Sequence, residues 1–136
     1  MGGGEAVSAR RGVGLGAATT ATVGDCVALV RETLALASGP SGPSGLGWPT
    51  VLASVDRREA LARVVAAEFG FDVVLLGADE LAATRGVVFQ SVAALHAIGT
   101  PSVAEAAALR AVGRDATLRI ARRTGRRCTC AIAERA

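Results

Sequence analysis

The sequence predicts an α/β domain, a three-layer α/β/α sandwich around a mixed, mainly parallel sheet of about five strands that ends in a C-terminal β-hairpin. Three observations predict it. Strand-like and helix-like segments alternate three times in the first part of the chain, which calls for parallel pairing through right-handed crossovers. The run Val73-Val74-Leu75-Leu76 is continuously apolar, as in a strand covered on both faces. The last two extended runs flank Arg122-Arg123-Thr124-Gly125-Arg126, a hairpin pattern with Gly125 in the turn.

In chain order, residues 1–11 read as a disordered tail, and 12–136 as one domain, with the first strand, Arg11 to Gly16, closing in a Gly-rich turn. Thr22 starts a helix with Asp25 at its third position, a near-capping box. Val27, Leu29, Val30, Leu34 and Leu36 supply its apolar side, and it ends near Ser38. The stretch Ser38 to Gly47 is low-complexity turn material. A second strand spans Thr50 to Val55. Asp56 and Glu59 are spaced as a capping box for a helix that runs to about Phe69 and stops at Gly70. A third strand, Asp72 to Leu76, leads to a short helical turn at Gly77 to Ala83 and a further helix at Ser91 to Ile98. Pro101 then precedes Ser102, which with Glu105 forms a capping box, and Gly113 closes this helix in a left-handed conformation. Its five alanines leave little bulk, so another element or a flat ligand can approach it closely. Ala116 to Ala121 and Arg127 to Ala133 are the hairpin strands. No internal repeat is visible.

Composition narrows the function classes. At 136 residues the chain suits a single core, built from Ala, Val and Leu because it has three Phe, one Trp and no Tyr. All 15 basic residues are Arg, and the net charge of +3 is too small to imply nucleic acid. Scarce aromatics also remove the stacking platforms that single-strand binders use. The expected partners therefore include no nucleic acid. A basic interaction module acting through Arg122 to Arg127 is the weakest of three functional classes. No run of about 18 apolar residues is present, so no membrane partner is expected. The opening MGGGEAVSARRG lacks the apolar core of a secretory signal, which points to a cytoplasmic protein. Cys26, Cys128 and Cys130 lack CxxC spacing, arguing against a disulfide framework or zinc site, and read as small buried hydrophobes. No metal or cofactor is expected.

Thr22 and Asp56 open helices directly after strands, so their N–H-rich ends crowd the carboxyl edge of the sheet, where open α/β sheets bind ligands and helix starts favour anions. Ser102 adds a third such end if its helix opens on the same side. Gly14-Leu15-Gly16 invites a dinucleotide reading, but Thr19 occupies the third glycine position, and the absence of Lys excludes a phosphate loop. The only histidine, His96, lies in an apolar helical stretch and reads as structural; a Cys26–His96 dyad has no supporting motif.

The phrase from Gly99 to Gly113, GTPSVAEAAALRAVG, together with Gly14-Leu15-Gly16 and the strand ending Leu52-Ala53-Ser54-Val55-Asp56, resembles the cobalamin-biosynthesis family of stand-alone CobE proteins and the CbiG C-terminal domain. The resemblance spans about residues 12–134. The family's T-I-D-x-K is echoed by Ser54-Val55-Asp56-Arg57-Arg58, and its late basic turn by Arg122. Two features depart. Ala17-Ala18-Thr19 replaces a basic pair, and Phe89-Gln90-Ser91 replaces Thr-Pro-Ser.

The resemblance implies a corrin-ring ligand of precorrin or hydrogenobyrinate type, a large ring fringed with carboxylates that arginines and helix starts would suit. The ligand-binding residues it suggests are Gly14, Gly16, Thr20 and Thr22 around the first turn, and Asp56, Arg57 and Arg58 after the second strand. Ser102, Glu105 and Arg122 complete the set. Two-domain members resemble cobalt-precorrin-5A hydrolase, which opens a ring lactone and releases acetaldehyde. A lactone hydrolase with Asp56 as catalytic base is therefore the second function to weigh. The chain matches only the C-terminal half of such proteins, like the stand-alone form of the oxygen-dependent route, which leaves the enzyme question open. Partners to weigh are a pathway methyltransferase or hydrolase and a second copy of the chain.

Overall fold

The computed structural model describes residues 10–38, 50–82, 103–113 and 115–135. The expected helix at 91–98, His96, Ser102 and the turn-rich stretch at 39–49 lie outside them. Strand β1 (Arg11–Ala17) leads to helix α1 (Val23–Ser38), and β2 (Thr50–Val55) leads through a 3-10 turn, Asp56–Arg58, to α2 (Glu59–Phe69). Next come β3 (Asp72–Leu76), α3 (Ala78–Ala82) and α4 (Val103–Val112), then the hairpin of β4 (Thr117–Thr124) and β5 (Cys128–Glu134). The strand order is β3-β2-β1-β5-β4. β1 with β2 and β2 with β3 are parallel, and β5 runs antiparallel to both β1 and β4. This is the mixed five-stranded sheet with a closing hairpin that the sequence predicts.

Alternation along the strands separates the layers. Val13, Leu15, Leu52, Cys130 and Ile132 project into one core with Cys26, Leu29 and Val30 of α1 and Ala62 and Val65 of α2. On the opposite face Ala53, Val55, Ala131 and Ala133 meet α4 and Leu81 of α3. The alanine-rich α4 is approached by the sheet itself. A Cβ on Gly12 would lie 2.6 Å from the Ala108 carbonyl oxygen, and one on Gly14 would collide with the Ala104 carbonyl oxygen. Small residues on both sides thus set how closely α4 packs on β1.

Three details correct the sequence reading. Asp56 does not cap α2: its main-chain carbonyl accepts the Glu59 N–H in a 3-10 turn, and Arg58 occupies the cap position without a side-chain cap bond. In the β3 run Val73, Val74 and Leu75 are half-buried and only Leu76 is buried, because β3 stands at one end of the strand order rather than inside the sheet. β4 continues through Arg122, Arg123 and Thr124, so only Gly125, Arg126 and Arg127 form the turn. The stops behave as expected: Gly70 has φ 73° after α2 and Gly113 has φ 90° after α4.

Arg10, assigned to the tail by sequence, and Arg11, at the boundary of the tail and the expected first strand, are tied into the fold. Arg11 pairs with Glu134 at 2.9 Å, and the Arg135 N–H donates to the Arg10 carbonyl at 3.0 Å. Among the described residues no helix is long and apolar enough to cross a membrane.

Candidate functional site at the carboxyl edge of the sheet

The carboxyl ends of β1, β2 and β3 share one edge, joined there by the β4–β5 turn because Ala17 pairs with Cys128. Two helices demonstrably begin at this edge. At α1 the Thr22 Oγ1 accepts the Asp25 N–H at 3.1 Å, the cap that the sequence predicts. The direction of α4 follows from its contacts with β1: Val103 faces Gly16, Ala104 faces Gly14, and Val112 faces Gly12. Helix α4 therefore runs against β1 and opens at the same edge, which resolves the question left by Ser102. The 3-10 turn at Asp56 leads α2 away from the end of β2.

Side chains and loops interlock along this edge. Arg58 Nε donates to the Ala17 carbonyl at 3.0 Å, crossing from the end of β2 to the end of β1. The Ala21 N–H donates to the Ala18 carbonyl at 3.0 Å, closing the turn before α1, and the Ala18 N–H donates to the Arg127 carbonyl at 2.9 Å. Arg127 itself adopts φ 61°, a left-handed conformation uncommon for a residue with a side chain. Gly125 rests on α1, where an added Cβ would stand 3.0 Å from Leu29 Cδ2. The hairpin turn is thus drawn down onto the start of α1.

This convergence forms an open pocket of about 230 Å³ lined by Thr20, Thr22, Asp25, Arg126 and Arg127. Further along the edge the character turns acidic. Asp56 is exposed, a Cβ on Gly77 would stand 3.9 Å from its Oδ2, and the Gly77 N–H donates to Glu80 Oε1 at 3.0 Å.

The expected site residues divide accordingly. Thr20 and Thr22 line the pocket, Arg58 bridges two strand ends, and Asp56 and Arg57 are exposed beside them. Gly14 lies beneath α4 and makes room for its backbone. Gly16 sits where a Cβ would be 2.6 Å from Thr129 Oγ1. Glu105 is fully buried, and its Oε2 accepts the backbone N–H of Arg122 at 3.0 Å, joining two expected ligand residues to each other. The expected ligand set omits Arg126, Arg127 and Asp25, although the sequence presents the run Arg122 to Arg127 as a basic interaction surface to weigh and Asp25 as part of a cap. The signal was the hairpin itself: its turn must lie beside the end of β1 once β5 pairs with β1.

The thiols offer no nucleophile. Burial pushes Cys26 and Cys130 up to about 12, and Cys128 also rises for the same reason. The three stay protonated near pH 7, and His96, the other member of the Cys26 dyad, lies outside the described residues. Among the described residues no group of His, Cys, Asp and Glu could hold a metal ion.

A model of the family described as cobalamin synthesis G C-terminus matches residues 12–133. Among curated proteins no sequence matches. The fold is similar to the crystal structure of CobE, a protein from the cobalamin (vitamin B12) biosynthetic pathway, at 30% identity over 91% of this chain and 89% of that one, with a TM-score of 0.74. It is also similar to cobalamin biosynthesis protein chiG from Agrobacterium tumefaciens, at 23% identity over 93% of this chain and 98% of that one, with a TM-score of 0.64.

Proposed function

The chain belongs to the cobalamin synthesis G C-terminal family, and on that premise we propose that it binds a corrin-ring intermediate at the carboxyl edge of its sheet. One observation carries this reading: the starts of α1 and α4, Arg58, and the arginine-bearing hairpin turn all stand at that single edge. Helix starts present unpaired N–H groups and partial positive charge, and guanidinium groups match carboxylates in shape and charge. A precorrin or hydrogenobyrinate-type ring carries carboxylate arms on its rim, so an edge lined with such donors suits it better than a closed apolar cavity. Titrating the protein with cobyrinic acid and following the corrin absorption bands tests the reading. Saturable spectral change with co-elution supports it, and an unchanged spectrum with separate elution rejects it.

A second reading, lactone hydrolysis, is favoured by one specific feature. The main-chain carbonyl of Asp56, rather than its carboxylate, takes the Glu59 N–H, so the side chain at the end of β2 is not spent on capping α2. An exposed carboxylate there could position water against a bound lactone. Loss of turnover in Asp56→Asn with ligand binding intact supports that role, and unchanged turnover removes it.

A further inference from the structure

We propose that Arg126 and Arg127, with Thr20 and Thr22, form a subsite for one carboxylate arm of the ring and so select ligands by their free acid groups. The inference rests on the corrin-binding reading above and adds the residues that recognise the rim.

Two arginines at a hairpin turn ordinarily form a solvated tip. Here the turn is held from three directions. The Gly125 N–H donates to the Cys128 carbonyl at 2.8 Å, the Ala18 N–H donates to the Arg127 carbonyl at 2.9 Å, and Gly125 is seated against Leu29 of α1. Both guanidinium stems therefore leave a fixed backbone, so less freedom is lost when a ligand is gripped.

Size and charge choose the occupant. The pocket is open and about 230 Å³, below the roughly 300–1,000 Å³ of sites that enclose a drug-sized molecule, a size that suits an acetate or propionate arm better than a whole macrocycle. Of the five residues around it two are arginines and one is an acid, Asp25, so the group carries a net positive charge that favours an anion. The hydroxyls of Thr20 and Thr22 supply polar lining beside the arginines. Arg58, bonded to the Ala17 carbonyl, stands at the neighbouring strand end. The ring would then lie along the edge with one arm in the pocket.

The test compares cobyrinic acid with its heptamethyl ester, using the intact chain and the double variants R126A/R127A and R126K/R127K. Both sites are exposed, and matching thermal melts of variants and parent confirm intact folds. The parent is expected to bind the acid roughly tenfold more tightly than the ester. R126A/R127A should cut that preference to about threefold or less, and R126K/R127K should retain part of it. A double alanine variant with the parent's full preference overturns the subsite. Displacement of the acid by inorganic phosphate, beyond that by chloride of equal ionic strength, overturns the carboxylate assignment in favour of a free-oxyanion site. Equal binding of both compounds by the parent overturns the subsite, whereas a parent that binds neither fails the corrin-binding reading itself.

Discussion

Glu105 and Arg122 are joined across the fold: the carboxylate in the first turn of α4 accepts the backbone N–H of a β4 residue at 3.0 Å. The pairing has a local cause. Between the Ile120–Ile132 and Arg123–Cys130 pairs, β4 advances three residues while β5 advances two, so the bulge turns an N–H away from the regular ladder. Glu105, fully buried, is placed to receive it. A residue expected to meet a ligand thus fastens the hairpin to α4.

Replacing Glu105 by Ala should destabilise the protein by about 1 kcal/mol or more, because a part-buried donor on Arg122 loses its acceptor. Glu105→Gln, which keeps an acceptor oxygen, should cost less. Urea unfolding midpoints of the three proteins check the order.

Gly14→Ala should be far more damaging than Gly77→Ala. The first places a methyl against the Ala104 carbonyl oxygen, while the nearest atoms at Gly77 are 3.7 and 3.9 Å away. Overpacking of the kind expected at Gly14 costs typically about 1–3 kcal/mol, sometimes more. Thermal melts of both variants should separate clearly.

The cap difference is equally testable. Thr22→Ala should cost about 1 kcal/mol through loss of the bond to the Asp25 N–H. Asp56→Ala should leave stability nearly unchanged, since the side chain makes no cap bond. Denaturant titration of the pair gives both values.

How far the sequence reaches is clearest at these same positions. The β1–α1 and β4–β5 segments are legible because alternation, capping residues and a turn glycine act locally. Thr22 follows its local grammar and caps α1. Asp56 has the same spacing, yet the chain leaves β2 through a 3-10 turn, a geometry that spacing cannot encode. The pocket was hidden for another reason. Arg126 and Arg127 lie about a hundred residues from Thr22 in sequence, and only the antiparallel register of β5 on β1 brings them together. Glu105 is legible as a residue of the first helical turn, but its burial and its bond to the Arg122 N–H depend on the docking of the hairpin, which spacing does not encode.

Alkaline pH should destabilise the fold through its thiols. The folded state holds Cys26 and Cys130 protonated up to about 12, above the ordinary value of 9.0, so above pH 9 the unfolded chain has released protons that the native chain retains. Stability then falls as pH rises from about 9 towards 12. The chain has no Tyr and no Lys, so few other groups titrate in that window. Urea midpoints should drop between pH 8 and 10, and the slope should flatten in Cys26→Ala. A midpoint independent of pH contradicts the burial of these thiols.

The central claim concerns place: the ring meets the protein where β1 and β2 end. Backbone amide chemical shifts of the ¹⁵N-labelled protein, recorded while cobyrinic acid is added, test this directly. Changes should concentrate at Ala18, Thr20, Thr22, Arg58 and Gly125 to Arg127, leaving Phe69, Phe71 and Glu134 at the opposite edge unmoved. Saturable changes centred on Phe69, Phe71 or Glu134, with the first group silent, would contradict it.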